Sequence, residues 1–295
     1  MRIGLALGGG GARGFFHIGV LKVLEKLKIN INIISGISIG SLVGSLYALY
    51  KDINTVEDII LNTIDNYKND IELLSKYFNE AKFINYSEKS FNLIKELYFW
   101  NLLIIKTSLV DEKIFLKIFK DIFKDFNFSD CKIPFISTCV NISNGELFFI
   151  KNGPLYTGVL ASCSLVGFFP PVNFEDKILV DGGILEVVPT SALKKECNFI
   201  VGVNVENTKY NSNYKNAIDL LCISDNIRYK KIVENNLKEA DFIISGNLEK
   251  FTWADFEKAK ELIKLGEETT SSLVNELTKK IKKEKIKSIF FKKNA

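Results

Sequence analysis

The sequence has a single histidine, His17, among 295 residues. A site built on two imidazoles is therefore excluded, which removes most histidine-rich zinc and iron centres. Any catalytic triad must use His17 or do without imidazole. Cysteine is also scarce: Cys131, Cys139, Cys163, Cys197 and Cys222 are odd in number and no two form a CxxC pair. They are too scattered for a zinc cluster and read as reduced thiols of an intracellular chain. Neither a metal nor another cofactor is expected. Long apolar runs are missing too. None reaches the roughly 18 residues of a membrane span, and the longest candidate, Leu97 to Ile105, is half that. A run of four glycines begins at Gly8, where the apolar stretch of a signal peptide would lie, so no secretory leader is expected. The NxS sequons at Asn85, Asn127 and Asn141 then carry no meaning. With only five prolines and no Gly/Ser-rich stretch, there is no sign of a linker.

What is present suits one large globular unit. Apolar residues make up 47% of the chain and the mean hydropathy is +0.10, enough for a substantial core. The net charge of +4 hides a step: from Lys279 onward there are eight lysines against Glu284 alone, about +7, so the body is slightly acidic. Nucleic acid is not an expected partner, because no basic patch with interleaved aromatics occurs elsewhere.

Ile3, Leu5 and Leu7 form a short apolar run, Gly8 to Gly11 break it, and Val20, Leu21, Leu24 and Leu27 recur at helical spacing. Ile29, Ile31 and Ile33 alternate with asparagines up to Gly36, predicting a second strand. Another helix begins near Ile39, with Gly40, Gly44 and Ala48 on one small-residue face. This βαβα order predicts an α/β fold with a mainly parallel central sheet and helices on both faces. Residues 55–126 read as a helical insertion without a convincing strand. Strand signals return at 135–142 and 147–150 around Asn144-Gly145, a hairpin pattern, and again at 178–180, 199–205 and 242–244. A last helical pattern runs from about Asp255 into the basic end. The expected organisation is one domain over 1–278 and a basic extension over 279–295.

Three motifs carry chemistry. Gly9-Gly10-Gly11-Ala12-Arg13-Gly14 lies between a strand and a helix, where backbone N–H groups and the helix dipole form a nest for an anion. The anion is either a dinucleotide pyrophosphate or the oxyanion of acyl transfer. The first reading wants an acidic residue at the end of the second strand, and from Lys28 to Ser41 there is none. Gly36-Ile37-Ser38-Ile39-Gly40 also sits at a strand-to-helix junction, where GxSxG forms a nucleophile elbow or, more plainly, a turn with Ser38 as helix N-cap. A serine nucleophile needs a base. No histidine follows Ser38, so the Ser–acid–His order of α/β-hydrolases cannot be built. The base is His17 or a group other than histidine. Asp181-Gly182-Gly183, after the apolar run 178–180, offers a carboxylate, although by itself DGG is an ordinary turn signal.

The order of the three motifs resembles the patatin-like phospholipase family, over most of the chain. LALGGGGARGFFHIGVLKVLE is similar to that family's opening. ASCSLVGFFPPV followed by ILVDGGILEVVPT is similar to its approach to a catalytic aspartate, and ADFEKAKELIKLGEE has a familial look. Gly167 departs from a common proline, and Glu186-Val187 from a more usual Asn pair; both departures bear on the pocket wall. The resemblance implies a patatin-like three-layer fold and a Ser–Asp dyad, with Ser38 as nucleophile and Asp181 as base. It places the oxyanion hole at Gly9, Gly10 and Gly11 with Arg13 nearby, and Gly14, Gly36, Gly40, Gly182 and Gly183 as motif glycines. Arg13 is either an electrostatic partner of the oxyanion or a brace paired with a carboxylate. His17 is expected to hold the loop and take no part as base.

The implied activity is that of a serine lipid acyl hydrolase cleaving fatty-acyl esters, phospholipid or lysophospholipid, through an acyl-enzyme. The expected location is cytoplasmic, with peripheral contact at the inner membrane face. Two segments suit such contact: 97–105, which is either a buried helix or a lid, and the basic tail, at roughly 1 kcal/mol per lysine near an anionic surface. The alternative is a non-catalytic lipid-binding or regulatory module on the same fold.

Overall fold

The computed structural model describes residues 1–73, 75, 108–206, 213–214 and 217–293. Its eight strands form one sheet. Strand β1 (Ile3–Leu7) leads through a 3-10 turn (Gly11–Phe15) into α1 (Phe16–Lys26); β2 (Ile33–Gly36) leads into α2 (Ile39–Tyr50) and α3 (Ile53–Asn66). After α4 (Glu112–Phe123) come the hairpin β3 (Phe135–Asn141) and β4 (Glu146–Ile150), then α5 (Leu155–Ser162), β5 (Val172–Phe174), β6 (Lys177–Asp181) and β7 (Phe199–Asn204). Helix α6 (Ala217–Leu237), β8 (Phe242–Ser245) and α7 (Ala259–Lys293) complete the chain.

Strands β3, β2, β1, β7 and β8 are parallel neighbours in that order. Being covered on both faces, they read as nearly unbroken apolar runs, and all five residues of β1 are buried. The pleat still separates two cores. Leu5, Leu7, Ile34, Phe135 and Val201 join the larger one with Phe16, Leu21, Val43 and Leu46 of α1 and α2. Their neighbours Ala6, Ile33, Ile136 and Ile200 face the smaller one, against Val188, Leu193 and Leu237. The small-residue face of α2 explains its depth on the sheet. A Cβ at Gly44 would touch side chains of Leu7, Ile34 and Phe135 at 3.1–3.3 Å, one from each of three strands.

The hairpin forms as predicted, with Gly145 at φ 72°. β2 is shorter than its isoleucine pattern: its first half is a connection in which Asn32 Oδ1 accepts from the Ile3 amide at 2.8 Å. The three-residue β5 was not foreseen. Helices α3 and α4 fall almost wholly within 55–126, the stretch expected to be a helical insertion, and 97–105 lies outside the described residues. α7 continues through Lys279 without a break. Among the described residues no helix is long and apolar enough to cross a membrane.

Candidate active site

Strand register brings the second and third motifs together. Ser137 of β3 pairs with Gly36 of β2 and with Ile150 of β4, so β2 and β4 lie on opposite edges of β3. Cys139 pairs with Phe148 of β4 and with Asp181 of β6, so β4 and β6 are also opposite. β2 and β6 therefore share one edge of β3. β2 runs parallel to β3 and β6 antiparallel, so their C-terminal ends meet head to head. Two residues of β3, roughly 6.6 Å of strand, separate the partners of Gly36 and Asp181.

At the end of β2 the chain turns into α2 through Ser38, whose φ 55° and ψ −127° are rare for a side-chain-bearing residue. The turn is tight enough that only glycine fits at either side. A Cβ at Gly36 would lie 2.4 Å from Gly40 O, and one at Gly40 would lie 2.2 Å from Leu7 O. The Ser38 amide donates to Ser162 Oγ at 3.0 Å, and Ser162 donates to Thr138 O at 2.7 Å, which ties the elbow to α5 and β3. Ser38 is half-buried between buried neighbours, and its side chain makes no cap bond to α2.

The Ser38 hydroxyl and the Asp181 carboxyl face the same cavity, and the hydroxyl is near enough to favour the ionised carboxylate. Asp181 is 4% exposed and its Oδ1 accepts from the Gly183 amide at 2.8 Å. Burial raises its pKa to about 6; the Gly183 bond and the Ser38 hydroxyl pull it down, and the nearby Glu206 charge pushes it up. A buried carboxylate titrating near neutrality and facing a hydroxyl across a cavity is the arrangement general-base chemistry uses. The glycines of this motif admit close approach. A Cβ at Gly182 would meet Thr138 O at 2.7 Å.

The glycine loop closes the site from β1. The Gly9 amide donates to Val187 O at 3.0 Å and is thereby occupied. The amides of Gly10 and Gly11 have no acceptor among the described residues, and both glycines have positive φ, 158° and 57°. Gly14 packs its bare Cα against Ile39 of α2. Arg13 is in the brace geometry: its Nη2 donates to both Glu206 oxygens at 2.8 Å and its Nε to Gly10 O at 3.2 Å. His17 is fully buried, and its Nε2 donates to Gly8 O at 2.8 Å. Burial holds its pKa down to about 4, so the ring is neutral at pH 7.

Ser38, Asp181, Gly9, Gly10, Gly11 and Arg13 all line one cavity of about 610 Å³. Its walls are apolar, with Ile60 and Ile64 of α3 and Phe115, Phe119 and Ile122 of α4 among them. The volume lies within the roughly 300–1,000 Å³ of small-molecule sites. Among the described residues no group of three His, Cys, Asp or Glu side chains is placed to hold a metal ion.

Of the two sequence departures, Gly167 has φ 84°, a conformation closed to proline. The Glu186 carboxylate turns away to the Ser191 amide and hydroxyl, at 2.9 and 2.6 Å, while Val187 lines the cavity and takes the Gly9 N–H. Sequence reasoning missed Glu206, Tyr229 and Ser162. Glu206 and Tyr229 lie far from the motifs in sequence, and nothing local marks them. Ser162 stands inside the quoted ASCSLVGFFPPV stretch, where a buried serine was the available signal.

Residues 5–194 match the family described as patatin-like phospholipase. Lysophospholipase NTE1 of Scheffersomyces stipitis is 33% identical over 204 residues, covering 69% of this chain and 12% of that protein. Patatin-like phospholipase domain-containing protein ZK370.4 of Caenorhabditis elegans is 30% identical over 194 residues, 65% of this chain and 12% of that protein. The chain thus spans about an eighth of the length of these curated relatives. VipD from Legionella pneumophila has a similar structure, with a TM-score of 0.50 and 14% identity over 93% of this chain and 66% of that one. That likeness concerns the fold, a mixed α/β architecture with a mostly parallel sheet between helical layers.

Proposed function

The chain belongs to the patatin-like phospholipase family, and from that premise we propose that it is a serine lipid acyl hydrolase working through Ser38 and Asp181. The observation that carries the reading is the convergence of Ser38 and Asp181 on the wall of one apolar cavity, where the ends of β2 and β6 meet. Ser38 Oγ attacks the ester carbonyl while Asp181 takes its proton. The carbonyl oxygen becomes an oxyanion facing the Gly10 and Gly11 amides. Gly9 supports the loop and is not a donor, since its N–H is already engaged. Collapse of the intermediate expels the alcohol, which takes the proton from Asp181, and leaves the acyl group on Ser38. Asp181 then deprotonates a water, which attacks the acyl-enzyme; the tetrahedral intermediate collapses, Asp181 returns the proton to Ser38 Oγ, and the fatty acid is released. Each oxyanion donor is worth roughly 10²- to 10³-fold in rate.

The acyl chain lies between α3 and α4. Phospholipid or lysophospholipid is the proposed substrate class, in keeping with the lysophospholipase name of the fungal relatives. The proposed setting is cytoplasmic, with reversible contact at a membrane surface through the basic tail.

A fluorophosphonate probe tests the reading. The wild-type protein is expected to be labelled, and Ser38→Ala and Asp181→Asn to lose labelling and esterase activity. A folded wild-type protein that neither labels nor hydrolyses any acyl ester would instead make the chain a lipid-binding module.

A further inference from the structure

We propose that Glu206 is a positioning residue for the oxyanion loop, acting on the Gly10–Gly11 peptide through Arg13. This rests on the Ser38–Asp181 reading and extends it to a residue outside the three motifs. The geometry forms a chain of constraints. Glu206 follows the C-terminal end of β7, and its amide donates to Asn204 Oδ1 at 3.1 Å. Its carboxylate accepts two bonds of 2.8 Å from Arg13 Nη2, and the Tyr229 phenol of α6 lines the same cavity, where the Glu206 charge disfavours its ionisation. The Arg13 and Glu206 side chains are only 9% and 10% exposed, so each charge is neutralised chiefly by the other. Arg13 Nε then bonds Gly10 O.

That last bond sets a direction. Gly10 C=O and Gly11 N–H belong to one planar peptide, so holding the oxygen holds the N–H vector as well. The peptide is flanked by glycines on both sides, which permit rotations other residues would resist. The guanidinium adds to the first bond of the 3-10 turn (Gly11–Phe15), which also ends on Gly10 O, so the side chain and the backbone of Arg13 both hold this carbonyl. The fork geometry matters because one planar group must meet a carboxylate and a carbonyl at once, which an ammonium cannot do in the same way.

Glu206 has a second effect on the site. Its negative charge disfavours ionisation of Asp181. The other groups around Asp181 are the Ser38 hydroxyl, the Cys139 and Cys163 thiols, the Tyr229 phenol and, through Glu206, the Arg13 guanidinium. Burial keeps both thiols and the phenol protonated at neutral pH.

The test uses the full chain and a water-soluble acyl ester, with kcat, KM, the pH profile and fluorophosphonate labelling as readouts. Glu206→Ala is expected to lower kcat by 10- to 100-fold with KM changed less than about threefold, because the loss falls on a transition-state contact. Glu206→Gln is expected to recover most of kcat, since its carbonyl still accepts from Arg13, and to move the acid limb of the profile to lower pH. Arg13→Lys, which keeps the charge and loses the fork, is expected to match Glu206→Ala and decides the matter if Glu206→Ala does not fold. Wild-type kcat in either of these two variants would overturn the proposal while leaving the dyad intact. A wild-type protein that Ser38-directed probes do not label would overturn the dyad reading itself.

Discussion

Asp181 is held where a carboxylate is costly to ionise. Its folded pKa of about 6 lies above the ordinary value of 3.8. The folded state therefore binds the proton more tightly than the unfolded chain does. The associated stability is fully present below about pH 4, is lost as pH rises toward 6, and is absent at pH 7. The loss is on the order of 2–3 kcal/mol. Asp181→Asn removes it, and the asparagine oxygen can still accept from the Gly183 amide. We expect this variant to raise Tm at pH 7 while abolishing esterase activity, and the wild-type kcat/KM to rise with pH through a midpoint near 6. A thermal melt and a pH–rate profile check both. At this scale the sequence was informative where motif and chemistry coincide. A serine with no histidine after it pointed to a carboxylate base. It was silent on Glu206, whose meaning comes from facing Arg13 across the loop, and on the Gly9 amide, which the Val187 carbonyl occupies.

At the scale of elements, helices α3 and α4 form a greasy wall opposite the reacting groups. Ile64 is half-buried and lines the cavity, so a larger side chain there fills space without disturbing the core. Ile64→Trp is expected to cut kcat/KM for a hexadecanoyl ester at least about 10-fold relative to a butanoyl ester, with Tm changed little. A pocket discriminates by roughly 1–3 kcal/mol per methylene. Paired rate measurements on the two esters check this, and an unchanged ratio would place the acyl chain elsewhere. The strand–loop–helix order of the first fifty residues was legible because the apolar period switches there from two to nearly four. The hairpin was legible from Asn144-Gly145. β5 was not, since three residues give no period, and the β2 asparagines imitate strand alternation while one of them caps β1. The meeting of β2 and β6 depends on register along β3, which no local pattern encodes.

The whole molecule places its charge step on α7. The first lysines of the basic segment do not hang free. Lys280 Nζ lies over the Phe242 ring at 5.2 Å, and Ile281 is buried. Cutting the chain at 279 would thus injure the core as well as remove charge. Replacing Lys282, Lys283, Lys285 and Lys287, whose side chains are exposed, by glutamine isolates the charge. If the tail recruits the protein to anionic lipid, the fourfold variant should bind phosphatidylserine-containing vesicles at least about 10-fold more weakly at low salt. It should keep full activity on a soluble ester. Equal, salt-insensitive sedimentation with vesicles would remove the tail from the process.

The head-to-head junction of β2 and β6 also orders events in time. The chain of the serine elbow lies within the first fifty residues, made early in synthesis, while the Ser162 bond that ties it comes later. Its proposed base is delivered only once β3 has formed and a much later strand has docked on the same edge. A nascent or half-folded chain would then carry a serine without a base, and chemistry harmful to membranes would be withheld until the sheet is finished. On the proposed mechanism, the junction would couple the completion of the fold to the onset of hydrolysis.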